Sequence, residues 1–531
     1  KHIHVTHNFW IITIAVLIIG ALLSALEGGN WLRGWLAYSL LLAIGIGSLV
    51  FAWRLTSPGR PAAAAAITAF IVRLVIGAAL TVLLPVIGYA NNAEHQAGYV
   101  FTDAFNRDNQ AWELASSDQP LSAAFSGEYE SDQYGGLLGL SALLYRILSP
   151  DAHRQMLLLV LNASAAAWGV LLLWHGIRGL FGERPAAFAA WAFALYPESV
   201  LLASSQMREA LIIPAVALTI FGYARFREKQ RGWWVGPVVA ALMLFPIQPL
   251  AGFAAFGVLA GFWLFDPISL QGWSHRRGLL VGGIILAVGA VGLLVAGAIL
   301  ANLPSVQGAG PFGALLTWLR NNFTFQSYLA ERASGMLQKL LDGTPEPLHW
   351  LVILVYGIAQ PVLPAVVGDP GAAWVMRLIG LLRAAGWYTL APFLVYALMG
   401  LLRMRAEPRR WQLLWLSLVG WVWIAISALN AGGDQWDNPR YRTILLAWLV
   451  LLAGWAWDWA RQRKDAWLGR WLAVETTFVL LFTEWYLGRV YPGVPHLDIQ
   501  VMILLTLALT ILILGGGWLW DRYKQRKLQR T

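Results

Sequence analysis

The chain has no cysteine in 531 residues, so disulfides, thiolate chemistry and cysteine-ligated metals are excluded. Charge is scarce as well. Asp, Glu, Lys and Arg make up 12% of the residues, about half the share of a soluble domain. So few charges cannot cover a surface this large in water, and lipid must solvate most of the chain. Alternating apolar and polar stretches of about ten residues are missing, which disfavours a membrane β-barrel. None of the nine histidines forms an HExxH pattern or a close pair at metal-ligand spacing, and no phosphate-cradling GxxxxGK[ST] loop occurs. Soluble nucleotide chemistry therefore has no support. We find no repeat of fixed period and no low-complexity segment.

What is there is hydrophobic: 58% of the residues. Apolar runs of about 18 or more residues, the length a helix needs to cross the hydrocarbon layer, recur throughout. They fall near 9–26, 35–53, 63–88, 156–178, 186–204, 208–224, 233–246, 248–265, 278–303, 385–402, 411–429, 443–460, 471–487 and 499–519, with an ambiguous one at 350–366. The expected fold is an all-α polytopic membrane protein with about 13–15 transmembrane helices and a large acidic first outer loop. The two short runs either side of Pro246-Ile-Gln-Pro249 are two spans or one broken helix, since proline removes a donor and clashes with the preceding turn. The 9–26 run is long enough to be a retained span rather than a signal peptide. Thirty tryptophans suit the interfacial belts.

The net charge of +10 is scattered among short loops, which argues for membrane orientation and against nucleic acid. Basic clusters at 54–60, 178–184, 225–231, 275–277, 403–410, 461–470 and 522–530 form a cytoplasmic set. Counting spans from them puts loops 91–135, 199–209, 304–349 and 431–442, and also 488–498, on the opposite side, with both termini cytoplasmic. The expected location is a plasma (bacterial inner) membrane, multi-pass. An odd crossing between 304 and 384 would upset the parity, so 350–366, ended by Pro361 and Pro364, is read as re-entrant or spanning. The segment 312–341 has apolar positions at helical spacing and reads as a surface helix or a loop helix.

Four polar constellations fall on the outer side. The first, Phe101 to Ala115, holds Asp103, Arg107 and Asp108; Asp108 precedes Ala111, Trp112 and Ala115 at helical spacing, which fits a helix N-cap or a catalytic acid. Further along that loop, Tyr134 marks the exit. The second is Tyr196-Pro-Glu198 followed by Arg208-Glu209, charges that are expensive at a span mouth unless paired or functional. In the third, Asp434, Asp437, Arg440 and Arg442 precede a span; the arginines suit a phosphate or a headgroup anchor. The fourth, Lys339 to His349 with Asp342 and Glu346, reads as a surface loop.

An acid-bearing first outer loop, a Pro-Glu…Arg-Glu loop two spans later and a late Arg440-Tyr-Arg442 together resemble the GT-C superfamily of membrane glycosyltransferases, which includes protein O-mannosyltransferases and lipid A aminoarabinose transferases. The resemblance runs loosely over residues 60–460. It implies transfer of a sugar from a polyprenyl-phosphate carrier to a glycan, lipid or protein acceptor at the extracytoplasmic face, with inversion. Carried over, Asp108 is the general base and Asp103 the second choice. Arg208, Arg440 and Arg442 hold the donor phosphate, and Glu209 orients an arginine or the sugar. Glu198, Asp434, Asp437 and Tyr134 line the substrate loops. Mg²⁺ or Mn²⁺ bridging an acid and the phosphate is compatible with this chemistry and not required by it. The implied organisation is 1–62 as N-terminal membrane helices, 63–460 as the catalytic core and 461–531 as C-terminal helices with a basic tail. Two features depart from the family: the first loop lacks an Asp-Glu pair, and Phe245-Pro-Ile-Gln-Pro249 lacks an arginine. The alternatives are a transporter or flippase, against which the nearly charge-free span centres stand (Arg73 is an exception), and a non-catalytic subunit of an outer-surface assembly.

Overall fold

A computed structural model describes residues 2–126, 128–129, 131–132, 134–266, 310, 312–314, 316–317, 335–368, 371–404, 408–432 and 434–528. Among them the regular structure is entirely helical. The expected span at 278–303 and most of the expected helix at 312–341 lie outside the described residues; of the latter, Gly335–Asp342 is helical.

The first twelve α-helices are α1 (His2–Ala25), α2 (Trp31–Thr56), α3 (Arg60–Ile87), α4 (Ala93–Gln96), α5 (Thr102–Ser116), α6 (Gly136–Leu148), α7 (Met156–Phe181), α8 (Glu183–Leu195), α9 (Pro197–Ala203), α10 (Glu209–Arg227), α11 (Val235–Ile247) and α12 (Pro249–Leu264). Seven described helices are long and apolar enough to cross a membrane: α2, α3, α7 and α10 with Trp374–Arg403, Arg410–Asn430 and Ile499–Lys527. The number reaches nine if α8 with α9, and Asp437–Thr443 with Leu446–Arg463, each count as one bent span. The protein is thus an all-α polytopic membrane protein. α11 and α12 are 13 and 16 residues long and break between Ile247 and Pro249, as the proline spacing predicts. Over 350–366 the chain forms His349–Ala359, then Leu363–Gly368; neither reaches the ~20 residues a crossing needs.

The chain divides into two compact units, residues 1–256, 369–382 and 443–464 in one and 257–368, 383–442 and 465–531 in the other. In the first, α7 is the central post, buried along most of its length and packed on α2, α3, α8 and α10. Lipid is as apolar as leucine, so helices gain little by hiding leucines from it; close packing has to supply the association. Glycines on α7 permit that approach. A Cβ at Gly176 would stand 3.1 Å from the Ile220 carbonyl oxygen of α10, and one at Gly169 3.1 Å from Pro214 Cα.

Arg73 lies buried within α3. Its guanidinium donates to the carbonyls of Ala194 (2.8 Å) and Phe193 (3.4 Å) and to Ser199 Oγ (3.0 Å). The cause is local. α8 and α9 meet at a 49° bend at Tyr196-Pro197, and Pro197, having no N–H, cannot donate to Phe193 four residues back. The arginine serves carbonyls that the bend leaves without helix partners, which is how a charge survives at membrane depth.

The second unit repeats this device. His349–Ala359 ends before Pro361, and its terminal carbonyls are taken by Trp387 Nε1 (to Ile358, 2.8 Å), Tyr388 Oη (to Ala359, 3.2 Å) and Arg442 (to Gln360, 2.8 Å). Arg442 also lies 3.6 Å above the Trp387 ring.

Candidate active site

At one end of the first unit, the α1–α2 turn, the 88–155 segment and the 204–209 turn come together around α5 and α6. α5 starts at Thr102, so Asp108 lies in mid-helix and is no N-cap; the sequence placed the helix start six residues late because Thr102-Asp103 is a weaker apolar signal than Ala111 to Ala115. Ala104, Arg107, Asp108, Ala111 and Leu114 make the buried stripe, at 3.6-residue spacing. Asp103, in the first turn, is exposed. Arg146 of α6 secures the other end of α5 by donating to the carbonyls of Leu114 (2.7 Å), Ser117 (3.2 Å) and Gln119 (2.9 Å), groups a helix end cannot satisfy itself.

Asp108 is 3% exposed and receives three donors. Tyr99 Oη is 2.6 Å from Oδ2, Tyr145 Oη 2.5 Å from Oδ1 and His153 Nε2 2.9 Å from Oδ2. A carboxylate only accepts, so His153 Nε2 carries a proton toward Asp108, and in the neutral ring Nδ1 is the acceptor. Burial, then the neighbouring Asp108, push the Tyr99 phenol well above its usual range, keeping it a donor. Trp112 stacks flat on His153 (5.4 Å between centroids, 8° between planes), and Tyr145 meets the ring edge-on. The imidazole is held in both position and tilt.

His153 borders a cavity of about 550 Å³ that Glu27, Tyr99, Asn109 and Gln155 also line. Glu27 accepts hydrogen bonds from Tyr38 Oη and from Met156 N (3.0 Å). Burial outweighs those bonds and raises its pKa from 4.5 to about 7. The folded protein therefore holds this proton more tightly than the unfolded chain. That contribution is complete below pH 4.5 and is lost as pH rises to about 7. Glu27→Gln should leave the thermal midpoint nearly unchanged at pH 4 and raise stability at pH 8 by on the order of 3 kcal/mol, read by melting in detergent at both pH values.

A second cluster flanks α5. Asp132 caps α6 by accepting from Leu138 N (3.0 Å) and lies 3.6 Å from Arg208 Nη1 and 4.0 Å from Arg107 Nε, with its side chain fully buried. Arg208 Nε and Nη1 make no hydrogen bond, and the guanidinium lies 5.6 Å from the Tyr134 ring centroid. Glu198 and Glu209 are buried in the first turns of α9 and α10, where the helix dipole favours acids.

In the other unit, Asp434 Oδ1 accepts from Trp436 N (2.6 Å) and Asp437 N (2.7 Å), the work of a helix cap. Asp437 is half-exposed and pairs with buried Arg440 at 3.3 Å. The fourth constellation forms the turn before His349, whose Nε2 lies 2.9 Å from the Thr344 carbonyl oxygen. Asp108, Arg208 and Tyr134 thus sit in the first unit with Glu198 and Glu209, while Asp434, Asp437, Arg440 and Arg442 sit in the second.

The residues around Asp108 do not fit a cation. Both its oxygens already face donor hydrogens, and among the described residues no group of three or more His, Asp or Glu side chains converges at metal-ligand distance.

Sequence reasoning missed Glu27, Tyr99, Tyr145 and His153. One signal was present for the first: Glu27 is the only acid before Glu94, between two apolar runs. The two tyrosines and His153 carried none, because a lone polar residue beside an apolar run is ordinary.

No curated protein sequence matches the chain. Among solved structures, an oligosaccharyltransferase of Archaeoglobus fulgidus crystallised with Zn and sulfate is 16% identical, with 81% of this chain and 54% of that one covered and a TM-score of 0.38. The archaeal oligosaccharyltransferase AglB of Archaeoglobus fulgidus, bound to an inhibitory peptide and a dolichol-phosphate, is 14% identical over 86% of this chain and 55% of that one, at a TM-score of 0.36. The chain spans about half the length of these proteins. Residues 140–294 match the sequence model of the dolichyl-phosphate-mannose-protein mannosyltransferase family. That stretch carries Tyr145, His153, Glu198, Arg208 and Glu209, and the chain is accordingly similar to the GT-C membrane glycosyltransferases, as its loop motifs imply.

Proposed function

We propose that this protein is a membrane glycosyltransferase that moves a sugar from a polyprenyl-phosphate carrier to a hydroxyl-bearing acceptor at the extracytoplasmic face, with inversion. The observation that carries the reading is the buried Asp108 carboxylate gripping His153 at the edge of a 550 Å³ cavity. Asp108 supplies the negative charge expected of the base, and His153, which borders the cavity, is the group through which it acts. The acceptor hydroxyl passes its proton to His153 Nδ1 as its oxygen attacks the sugar carbon. The bond from that carbon to the phosphate oxygen breaks, and its electron pair leaves with the polyprenyl phosphate. The imidazolium formed is stabilised by Asp108. The departing phosphate gains negative charge and needs positive partners. Arg208, whose Nε and Nη1 make no hydrogen bond, suits that role.

Arg208→Ala should raise the donor KM by roughly 10- to 100-fold, the worth of a charge-assisted hydrogen bond to phosphate, and change the acceptor KM little. Rates with purified protein and polyprenyl-phosphate-hexose donors would show it; equal losses for both substrates would remove Arg208 from the phosphate. Arg440→Ala, expected from its motif to behave in the same way, is the companion measurement, and an unchanged donor KM there would leave Arg440 as the partner of Asp437.

A further inference from the structure

The α1–α2 turn lies outside the matched stretch 140–294, yet Ala25 at the end of α1 and the turn residues Leu26, Glu27 and Gly28 border the cavity. The turn is pinned in place. Asn30 N donates to Asp151 Oδ2 (2.9 Å), and Arg154 Nη2 donates to the Asn30 carbonyl (2.9 Å). Glu27 itself is tied to α2 through Tyr38 and to the start of α7 through Met156 N. A hairpin that only anchored the chain in lipid would have no need of a half-buried carboxyl at its tip, which is costly to desolvate.

The rest of the lining indicates what the carboxyl meets. Among the described residues no lysine or arginine borders the cavity; Thr81, Tyr99, Asn109, His153 and Gln155 supply its polar groups. Such walls offer paired donors and acceptors to hydroxyls and nothing to balance a phosphate. Gln155 spends its Nε2 on the Ala97 carbonyl (3.1 Å), while its buried Oε1 has no hydrogen-bond partner. A buried acceptor left without a donor is unfavourable unless a ligand brings one.

We infer that the α1–α2 turn forms a wall of a glycosyl-binding cavity in which Glu27 and Gln155 hold ring hydroxyls, which makes Glu27 a specificity-determining residue supplied by the N-terminal hairpin. The inference rests on the transferase reading for the identity of the ligand as a sugar. A carboxyl near half-protonation at neutral pH can give a hydrogen bond to one hydroxyl and accept from another, so it suits a polyol better than a fixed anion does. The glycosyl group in question belongs to the donor or to the acceptor.

Two measurements on the full-length protein in detergent test this. The first is thermal stabilisation by methyl α-mannoside and methyl α-glucoside at millimolar concentration. One of them should raise the midpoint of the parent, and the rise should vanish in both Glu27→Gln and Gln155→Ala. If neither glycoside shifts the parent, or if both variants keep the shift, the inference is wrong. The second is kinetics with polyprenyl-phosphate-hexose donors. Glu27→Gln should raise KM about tenfold for the substrate whose ring occupies the cavity, with kcat within about threefold. A rise in donor KM assigns the cavity to the donor sugar, and a rise in acceptor KM to the acceptor. A fall in kcat alone overturns the binding role. A parent that binds glycosides through Glu27 and Gln155 but transfers nothing would keep this inference and sink the transferase reading.

Discussion

Asp108→Asn is expected to lower transfer by about 10³-fold, within the 10²–10⁴ that proton-transfer groups supply, with expression retained. The reason is the hydrogen-bond sense at the site. An amide in place of the carboxylate presents an NH2 group to the phenols of Tyr99 and Tyr145 or to His153, and any of these turned away loses its partner. His153 then lacks the negative charge that stabilises its protonated form. Tyr145→Phe keeps the carboxylate and His153, so its loss should be about tenfold or less. Thermal melting of both variants separates chemistry from folding. Full activity in Asp108→Asn with a lowered melting point would make Asp108 a structural anchor for its three donors and end its role in stabilising the protonated His153.

The largest effect on stability is expected at Arg154. Its side chain is fully buried and donates to Ser149 Oγ (2.6 Å), to both oxygens of Asp151 (2.8 and 2.9 Å) and to the Asn30 carbonyl. The Arg154 guanidinium holds the Asp151 carboxyl far below the usual carboxylate range, and Asp151 raises Arg154 in turn. Gly29, at φ +90°, is part of the same fit: a Cβ there would come within 2.7 Å of Arg154 Nη2. Arg154→Ala takes the donor from Ser149 Oγ, from the Asn30 carbonyl and from the solvent-facing Asp151 carboxylate, and should cost about 3 kcal/mol, roughly 1 kcal/mol for each lost partner. Because Asn30 is one of the stranded groups, the hairpin should become cleavable by protease near residues 26–30 before the rest of the chain does. Replacing both partners, Arg154→Met with Asp151→Asn, should recover part of the loss. A melting point unchanged by Arg154→Ala would show that the turn is held by Glu27 and packing alone.

Much of this protein is written in one dimension. The apolar runs at 35–53, 63–88, 156–178, 208–224, 411–429 and 499–519 became helices because lipid leaves the backbone no hydrogen-bond partner but itself, so length and hydropathy suffice to find them. Proline at 249 and 361 marked breaks for an equally local reason. Asp108 and Arg208 were legible as polar residues in places where polarity is costly.

What the sequence could not determine is who meets whom. Arg442 and Arg208 look alike in a motif, yet one gives its donors to carbonyls at a helix break and stacks on Trp387, while the other keeps N–H groups that make no hydrogen bond beside Asp132. Glu27, Tyr99, Asp108, Tyr145 and His153 are spread over 127 positions and no local pattern joins them. They form one cluster because α1 and α2 turn back beside α7, and because Arg154 and Arg146 pin the turn and α5 against the segment leading into it. Sequence alone determined the membrane helices, since burial in lipid is decided residue by residue. The hydrogen-bonded acid cluster was decided only by tertiary packing, since each of its bonds joins groups that neither hydropathy nor spacing brings together.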